Sequence, residues 1–552
     1  MNRDLIHKII FVACTLLLVY SIASTSIFRI EPTGLGLTTE LPLIYYIGML
    51  LLGCVWYVGF KSRSYLPLAL ILTFSYLYVA PALIRVPVWI SNSYYPYGES
   101  LSINSAGHLI KNPAAGFVSY DSWPLFLYFA SAFTMITNLP HYVILKFFPL
   151  LSVGLYALFA FFILKTKLPV QHAFLGSAIL LAGLFIRQQY FGPQGLAYFF
   201  FLAILLVVSL MYFDKASNPS MLLALLISLF VITTILHPLT SFIALAVPLA
   251  LYLADRFSLK RFPSWVGLLF VGASAVWLIY NFFYAKSFFN TAIQHFYEIL
   301  TGSRGISVAS ESARPIGSTA MLVNFLTSYA LVGLAGIVAL LSMFVILRKL
   351  RSKRSEIAYP IFMAILLILF TIFAFVGEYG AEAYQRAFMF GLVPIGFLAI
   401  SLLRSKPRVL IVFVMVLIFL NVPAQYGSDT FRLATNSQLT GAAFVAYSLP
   451  QNVKLVGEFT IYIRYFVPTK YYQVLDIGLS LPFSNIPNAT VLYQGLKNAD
   501  YVLVSDSTHN HYVFYIGRDP LEEVDFGQFN KLYDNGGFKV FQPARNASLK
   551  GT

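Results

Sequence analysis

Apolar residues in this 552-residue chain come in long unbroken runs, not in the alternation of a strand or the stripe of a surface helix. Ten runs, 9–27, 41–60, 66–84, 147–164, 195–213, 265–284, 320–347, 357–375, 387–403 and 409–426, are long enough to predict membrane-crossing helices. About 20 residues at ~1.5 Å rise cover a hydrocarbon layer of ~30 Å. Three more, 170–186, 221–236 and 240–254, are shorter. A last run, 123–138, opens on Trp123-Pro124 and closes before Pro140.

Basic residues decide how these runs are counted, because Lys and Arg near span ends are retained on the cytoplasmic side. With 123–138 read as an interfacial helix on the outer face, the chain crosses 13 times from a cytoplasmic N-terminus. Every basic cluster then falls inside: Lys61/Arg63, Lys165/Lys167, Lys215, Arg256/Lys260/Arg261, Arg348/Lys349/Arg351/Lys353/Arg354 and Arg404/Lys406/Arg408. Counting 123–138 as a span would place the five-charge cluster at 348–354 outside. The first run exceeds a signal-peptide core of ~7–15 residues and is expected to be retained.

Composition agrees: 59% of residues are apolar and 11% charged, against ~45–50% and ~25% in soluble proteins. The net charge of +15 would raise the question of nucleic acid in a soluble chain. Here the cytoplasmic segments carry 18 Lys+Arg and 4 Asp+Glu, the outer loops 9 and 8, and residues 427–552 carry 10 and 10. The charge therefore records orientation and gives no support to a nucleic-acid partner. Cys14 and Cys54, the only cysteines, lie inside apolar runs and offer neither a disulfide framework nor a zinc site.

The expected fold class is a polytopic α-helical membrane protein with a C-terminal soluble mixed α/β domain. The membrane part is 1–426, with outer loops 85–146, 285–319 and 376–386; 427–552 is the extracytoplasmic domain. In the latter, 456–465 reads as a β-rich run and 501–504 as a buried strand. Residues 531–533 and 538–541 read as a hairpin joined through Asp534-Asn535-Gly536-Gly537, since Asn and Gly accept positive φ. Both N-x-S/T sequons, at Asn488 and Asn546, fall here.

Candidate chemistry lies on the outer side. Glu99, in Tyr94-Tyr95-Pro96-Tyr97-Gly98-Glu99, and Asp121, in Tyr120-Asp121-Ser122-Trp123-Pro124, are carboxylates placed to deprotonate an acceptor hydroxyl; the plainer reading of each is a solvated loop residue or helix cap. Arg187 to Gly195 (RQQYFGPQG) is a polar turn broken by Pro and Gly, with Tyr190 and Gln194 in it; its plainer reading is a tight turn with a snorkelling Arg. His237-Pro238-Leu239-Thr240 joins two short runs, so its turn is expected to sink below headgroup depth and line a protein cavity; its plainer reading is a structural histidine. Arg386, leading into a span, suits a phosphate because its fork of donors adds to the free N–H groups of a helix start; otherwise it pairs with Glu382 at i,i+4. Arg304 and Arg314 add outer cations. No P-loop, H-E-x-x-H, G-x-S-x-G or Rossmann fingerprint occurs.

In order, YDSWPLFLYFASAF, a short basic KTK loop, YFGPQG, HPLTSF and EYGAEAYQRAFMF resemble the Y-F-S-P-Q, H-x-L-T-P-F and G-x-E-x-x-x-R elements of prokaryotic GT-C integral-membrane glycosyltransferases. The resemblance runs roughly from 94 to 386. It implies a GT-C-like fold and transfer of a sugar from a polyprenyl-phosphate-linked donor to a glycan, lipid or protein acceptor. It also implies a general-base carboxylate, for which Glu99 is the candidate, and a lipid-phosphate site to which Arg386 belongs. No Trp-Trp-Asp signature is present, so the chain does not resemble the catalytic subunit of oligosaccharyltransferase, and no divalent metal or other cofactor is implied. The competing readings are a flippase for a lipid-linked glycan, for which charges at mid-span would be expected, and a glycan polymerase or ligase.

Overall fold

The computed structural model describes residues 3–27, 34–85, 88–109, 122–186, 189–213, 218–258, 265–286, 289–290, 293–294, 297–298, 301, 318–349, 358–376, 383–429, 432–457, 462, 465–467, 473–474 and 489–544. Eleven described helices are long and apolar enough to cross a membrane. Those that matter below are α1 (Leu5–Ser24), α2 (Leu43–Ser62), α3 (Leu66–Ile84), α6 (His141–Lys165), α8 (Pro193–Phe213), α9 (Pro219–Leu236), α10 (Pro238–Arg256), α11 (Gly267–Tyr284), α14 (Gln385–Leu403) and α15 (Pro407–Tyr426); the remaining one is α12 (Thr319–Arg348). Two shorter apolar helices, α7 (Val170–Gly183) and α13 (Ala358–Phe373), match expected runs. The run at 123–138 forms α5 (Leu125–Thr137). Its 13 residues extend only about 20 Å at ~1.5 Å each, too short to cross.

The third span shows how the bundle meets the demands of a medium without water. Its middle widens into a π turn at Ser75–Val79. Pro81 has no N–H, so it serves neither the Leu77 carbonyl four residues back nor the Tyr76 carbonyl five back. In hydrocarbon an unmet carbonyl is costly. Two tyrosines from neighbouring spans meet the need: Tyr45 Oη donates to Tyr76 O at 2.5 Å and Tyr426 Oη to Leu77 O at 2.5 Å. Tyr76 Oη in turn donates to Cys14 O at 2.7 Å, and Tyr78 Oη to Leu181 O at 2.6 Å. The irregular turn is thus tied to α1, α2, α7 and α15.

Beyond α15 the chain builds a small mixed unit. Its five-stranded sheet has the order β4-β3-β5-β7-β6, with β3 (Lys454–Val456), β4 (Gln473–Val474), β5 (Tyr501–Ser505), β6 (Phe529–Asp534) and β7 (Phe538–Pro543). β3 is parallel to β4 and β5, whereas β7 is antiparallel to β5 and β6. The expected hairpin is β6–β7: Gly536 takes φ 87°, and Asn535 Oδ1 accepts from Phe538 N at 2.8 Å. The expected strand at 501–504 is β5. The β-rich reading of 456–465 fails where the chain is described, since only Val456 is in a strand while Tyr462 and Tyr465 are helical. Aromatic residues favour strands only where a pleated neighbour exists; here the two rings, three apart, face a helix instead. Both sequon asparagines lie outside the described residues.

A second sheet of two strands joins the outer loop to this unit: β1 (Val88–Trp89) pairs antiparallel with β2 (Leu433–Ala434), Val88 opposite Ala434. It brings the C-terminal unit over the same end of the bundle as the helix that carries Glu99.

Candidate functional site

The site is assembled at one end of the bundle. α8 begins on Pro193, whose missing N–H is no loss in a first turn. Gln194 follows, 3% exposed, and its Nε2 has no hydrogen-bond partner among the described residues. The helix of α14 begins at Ala383, and Arg386, its fourth residue, is buried. One turn further along each helix, Tyr198 Oη donates to Met389 O at 2.9 Å and the Tyr198 and Phe390 rings meet at 5.3 Å. The two helices therefore meet at this level, with Gln194 and Arg386 about one turn before it on their respective helices. Unsatisfied N–H groups and aligned peptide dipoles make a helix start electropositive.

His237 closes this end from the α9–α10 junction. It caps the helix that follows: its Nδ1 accepts from Thr240 N at 3.2 Å and lies 3.0 Å from Thr240 Oγ1. An Nδ1 that accepts from a backbone N–H leaves the proton of the neutral ring on Nε2. Burial pushes the imidazole well below its usual range, and the positive charge of Arg386 pushes it the same way. His237 and Arg386, singled out separately in the sequence, are thus close in space. The expected polar turn is in fact a capped helix start, buried as the short flanking runs required. Trp277 Nε1 donates to Pro238 O at 3.0 Å and Tyr280 Oη to Ser122 O at 2.8 Å, which anchors α11 and the segment before α5 beside His237.

Glu99 stands on α4 (Tyr94–Ala106), not in a loop, and is 0% exposed. The helix forms because Pro96 lies in its first turn, where no N–H is missed, and ends where Gly107 adopts φ 74°. Asn104 fastens it to α5, donating to Thr134 Oγ1 at 3.1 Å and accepting from Ser131 Oγ. Tyr97 reaches Phe191 in the turn before α8, with centroids 6.0 Å apart. Phe191 also meets Phe126 of α5 at 5.2 Å and Phe148 of α6 at 5.0 Å. Leu236, next to His237, lies in the same apolar cluster. The Glu99 helix and the His237 turn are therefore packed through one aromatic hub.

Tyr190 is half-buried and folds back over Gly192, where an added Cβ would come 2.4 Å from Tyr190 Cε2. That close approach explains why YFG carries a glycine. Asp121, Arg187 and Glu382 lie outside the described residues, as do Arg304 and Arg314.

Two residues that sequence reasoning passed over belong to this region. Tyr465 Oη and His141 Nδ1 are 2.8 Å apart, and the Tyr94 ring packs on Tyr462 at 5.2 Å and on Tyr465 at 5.4 Å. The C-terminal unit thereby touches α4 one turn from Glu99. The only signal for it in the sequence was the spacing of three between the two tyrosines. In the same unit His509 Nδ1 is 3.0 Å from Asp519 Oδ2 and 3.6 Å from Glu522 Oε1. Both carboxylates lie within reach of one ring nitrogen.

The fold and this end define a multi-pass helical membrane protein in which a buried histidine and a buried arginine lie near helix starts, with a buried carboxylate on an adjoining helix. No family model matches the chain, and no curated protein matches it. Among solved structures it is similar to the oligosaccharyltransferase AglB from Archaeoglobus fulgidus in complex with an inhibitory peptide and a dolichol-phosphate, at 14% identity over 84% of this chain and 72% of that one, with a TM-score of 0.48. It is also similar to ArnT from Cupriavidus metallidurans, in the apo state at 11% identity over 88% and 97% with a TM-score of 0.46, and bound to undecaprenyl phosphate at 12% over 86% and 98% with a TM-score of 0.43.

Proposed function

We propose that the chain is a GT-C-type membrane glycosyltransferase that moves a sugar from a polyprenyl-phosphate-linked donor to a glycan, lipid or protein acceptor on the outer face. The observation that carries this reading is the pairing of buried Arg386 with neutral His237 near the start of α8, where Gln194 is also buried. A lipid phosphate suits such donors: the guanidinium supplies charge and a fork of N–H groups, while Gln194 and His237 Nε2 supply neutral ones. Tyr190, Arg187 and Glu382 complete the donor side of the proposal.

In the reaction the acceptor oxygen attacks the anomeric carbon, its proton passes to a carboxylate, and the bond from that carbon to the phosphate oxygen breaks. Negative charge grows on the departing phosphate, which Arg386 stabilises more in the transition state than before it. Glu99 is the proposed base, with Asp121 the second candidate. A single displacement of this kind inverts the anomeric centre, and none of its steps calls on a metal. The distribution of basic residues supports a cytoplasmic N-terminus, with 427–552 an extracytoplasmic domain on the side of the site.

The test is transfer from a polyprenyl-phosphate sugar in nanodiscs by Glu99→Gln, Asp121→Asn and Arg386→Ala. Loss of roughly 10²–10³-fold in Glu99→Gln and Arg386→Ala, with unchanged unfolding temperature, is expected. Full activity in both overturns the site, and donor movement across the bilayer without release of lipid phosphate replaces the transferase with a flippase.

A further inference from the structure

Away from this end, α2 and α15 part to leave an apolar groove of about 720 Å³. It opens because α2 presents Gly53 and Cys54 where larger side chains would fill it; an added Cβ at Gly53 would already touch Met415 Cγ at 3.4 Å. From α15 its wall is Ile411, Met415 and Phe419 on one helical face. Along that helix the lining runs from Arg408 to Leu420, about 18 Å at ~1.5 Å per residue, somewhat more than half of a ~30 Å hydrocarbon core. The groove is thus as long as one leaflet.

Its ends differ. Arg408 lines one end and is exposed. Beside it Lys61 Nζ stands 4.4 Å from the centroid of the Tyr57 ring, and the Tyr57 hydroxyl lies close to both cations. The other end, at Leu50 and Leu420, carries no charge. A leaflet-length apolar slot with two cations and a phenol at its mouth matches a lipid with an anionic headgroup.

We infer that the α2–α15 groove is a binding site for an acidic phospholipid, its acyl chain along Gly53, Cys54 and Met415 and its phosphate at Arg408 and Lys61. The leaflet length favours an acyl chain over a polyprenyl tail, and the site is separate from the proposed donor site and does not depend on that reading.

Cys54 makes the site readable, because it is exposed in the groove whereas Cys14 is buried. The full chain in detergent is given dioleoylphosphatidylglycerol or dioleoylphosphatidylcholine, and alkylation of Cys54 by a maleimide is timed by mass spectrometry, with Cys14 as the internal reference. Phosphatidylglycerol is expected to protect at roughly tenfold lower concentration than phosphatidylcholine, and Arg408→Gln with Lys61→Gln to erase that preference. Gly53→Leu, which fills the groove and keeps the charges, is expected to lose the phosphatidylglycerol adduct seen by native mass spectrometry. Equal protection by the two lipids in the unsubstituted protein overturns the site whether or not the variants fold. A preference that survives loss of both cations overturns the headgroup assignment, and tighter protection by a polyprenyl phosphate overturns the choice of phospholipid.

Discussion

Arg85 Nη1 lies 2.5 Å from Asp429 Oδ2, the two residues being 344 apart in sequence and at most 1% exposed. Arg85 follows the last turn of α3 and Asp429 the last turn of α15, so the pair bolts the third span to the start of the C-terminal unit. The guanidinium also donates through Nε to Pro81 O at 2.9 Å and stacks on Tyr426 at 4.9 Å, while Lys146 Nζ donates to Arg85 O at 2.7 Å. Removing one member leaves the other charge buried, which costs about 3–5 kcal/mol, whereas replacing both with apolar groups is often close to neutral. Asp429→Leu and Arg85→Met are each expected to lower the unfolding temperature in detergent, and the double substitution to recover much of the loss. Additive losses would show that the pair holds nothing together.

Tyr426 bears on the same corner. Tyr426→Phe keeps the ring beneath Arg85 but removes the hydroxyl that serves the Leu77 carbonyl. An unmet buried carbonyl costs about 1–3 kcal/mol, and denaturation of the variant is expected to show a loss of that size. The cause is separable: Pro81→Ala restores an N–H near Leu77, so the Tyr426→Phe loss is expected to shrink in a Pro81→Ala background. An undiminished loss would place the role of Tyr426 elsewhere.

His511, on the helix Asp506–Ile516, is pushed down from the usual 6.5 to about 3, first by burial and then by the charge of Arg432. The folded state keeps the ring neutral where the unfolded chain takes up a proton. Stability is therefore complete above about pH 7 and declines as pH falls from 6.5 towards 3, by about 1.4 kcal/mol per unit if the group acts alone. At pH 5 the loss is about 2 kcal/mol. Unfolding midpoints compared at pH 7.5 and pH 5 are expected to diverge less in His511→Gln than in the unsubstituted protein; an equal pH dependence would assign it to other groups.

The spans were legible because hydrocarbon admits only runs that bury every backbone group within themselves, and 20 apolar residues leave few other readings. The hairpin at Asn535-Gly536 was legible because its turn chemistry is local. Glu99 read as a loop residue because it lies in the longest segment between apolar runs, although Pro96 in a first turn leaves a helix intact. Tyr462 and Tyr465 were read as strand because their neighbours have β propensity, and only the partner surface of α4 decides otherwise. Arg85 with Asp429, and Tyr465 with His141, depend on chain closure over hundreds of residues, which no local pattern records. His237 and Arg386 were singled out on local grounds, but their proximity was not.

The last expectation concerns the turn before α8. Tyr190 folds over Gly192 so closely that a methyl group at 192 would stand 2.4 Å from its ring. Gly192→Ala must therefore displace Tyr190, a flexible side chain, with little effect on the packed helices. If Tyr190 belongs to the donor site, that displacement misplaces a contact to substrate, and transfer is expected to fall by roughly ten- to a hundredfold with the unfolding temperature nearly unchanged. The double substitution isolates the cause. In a Tyr190→Ala background there is no ring to displace, so Gly192→Ala is expected to add nothing further. Equal losses from Gly192→Ala with and without the tyrosine would show that the glycine shapes the backbone of the turn, and Tyr190 would leave the proposed site.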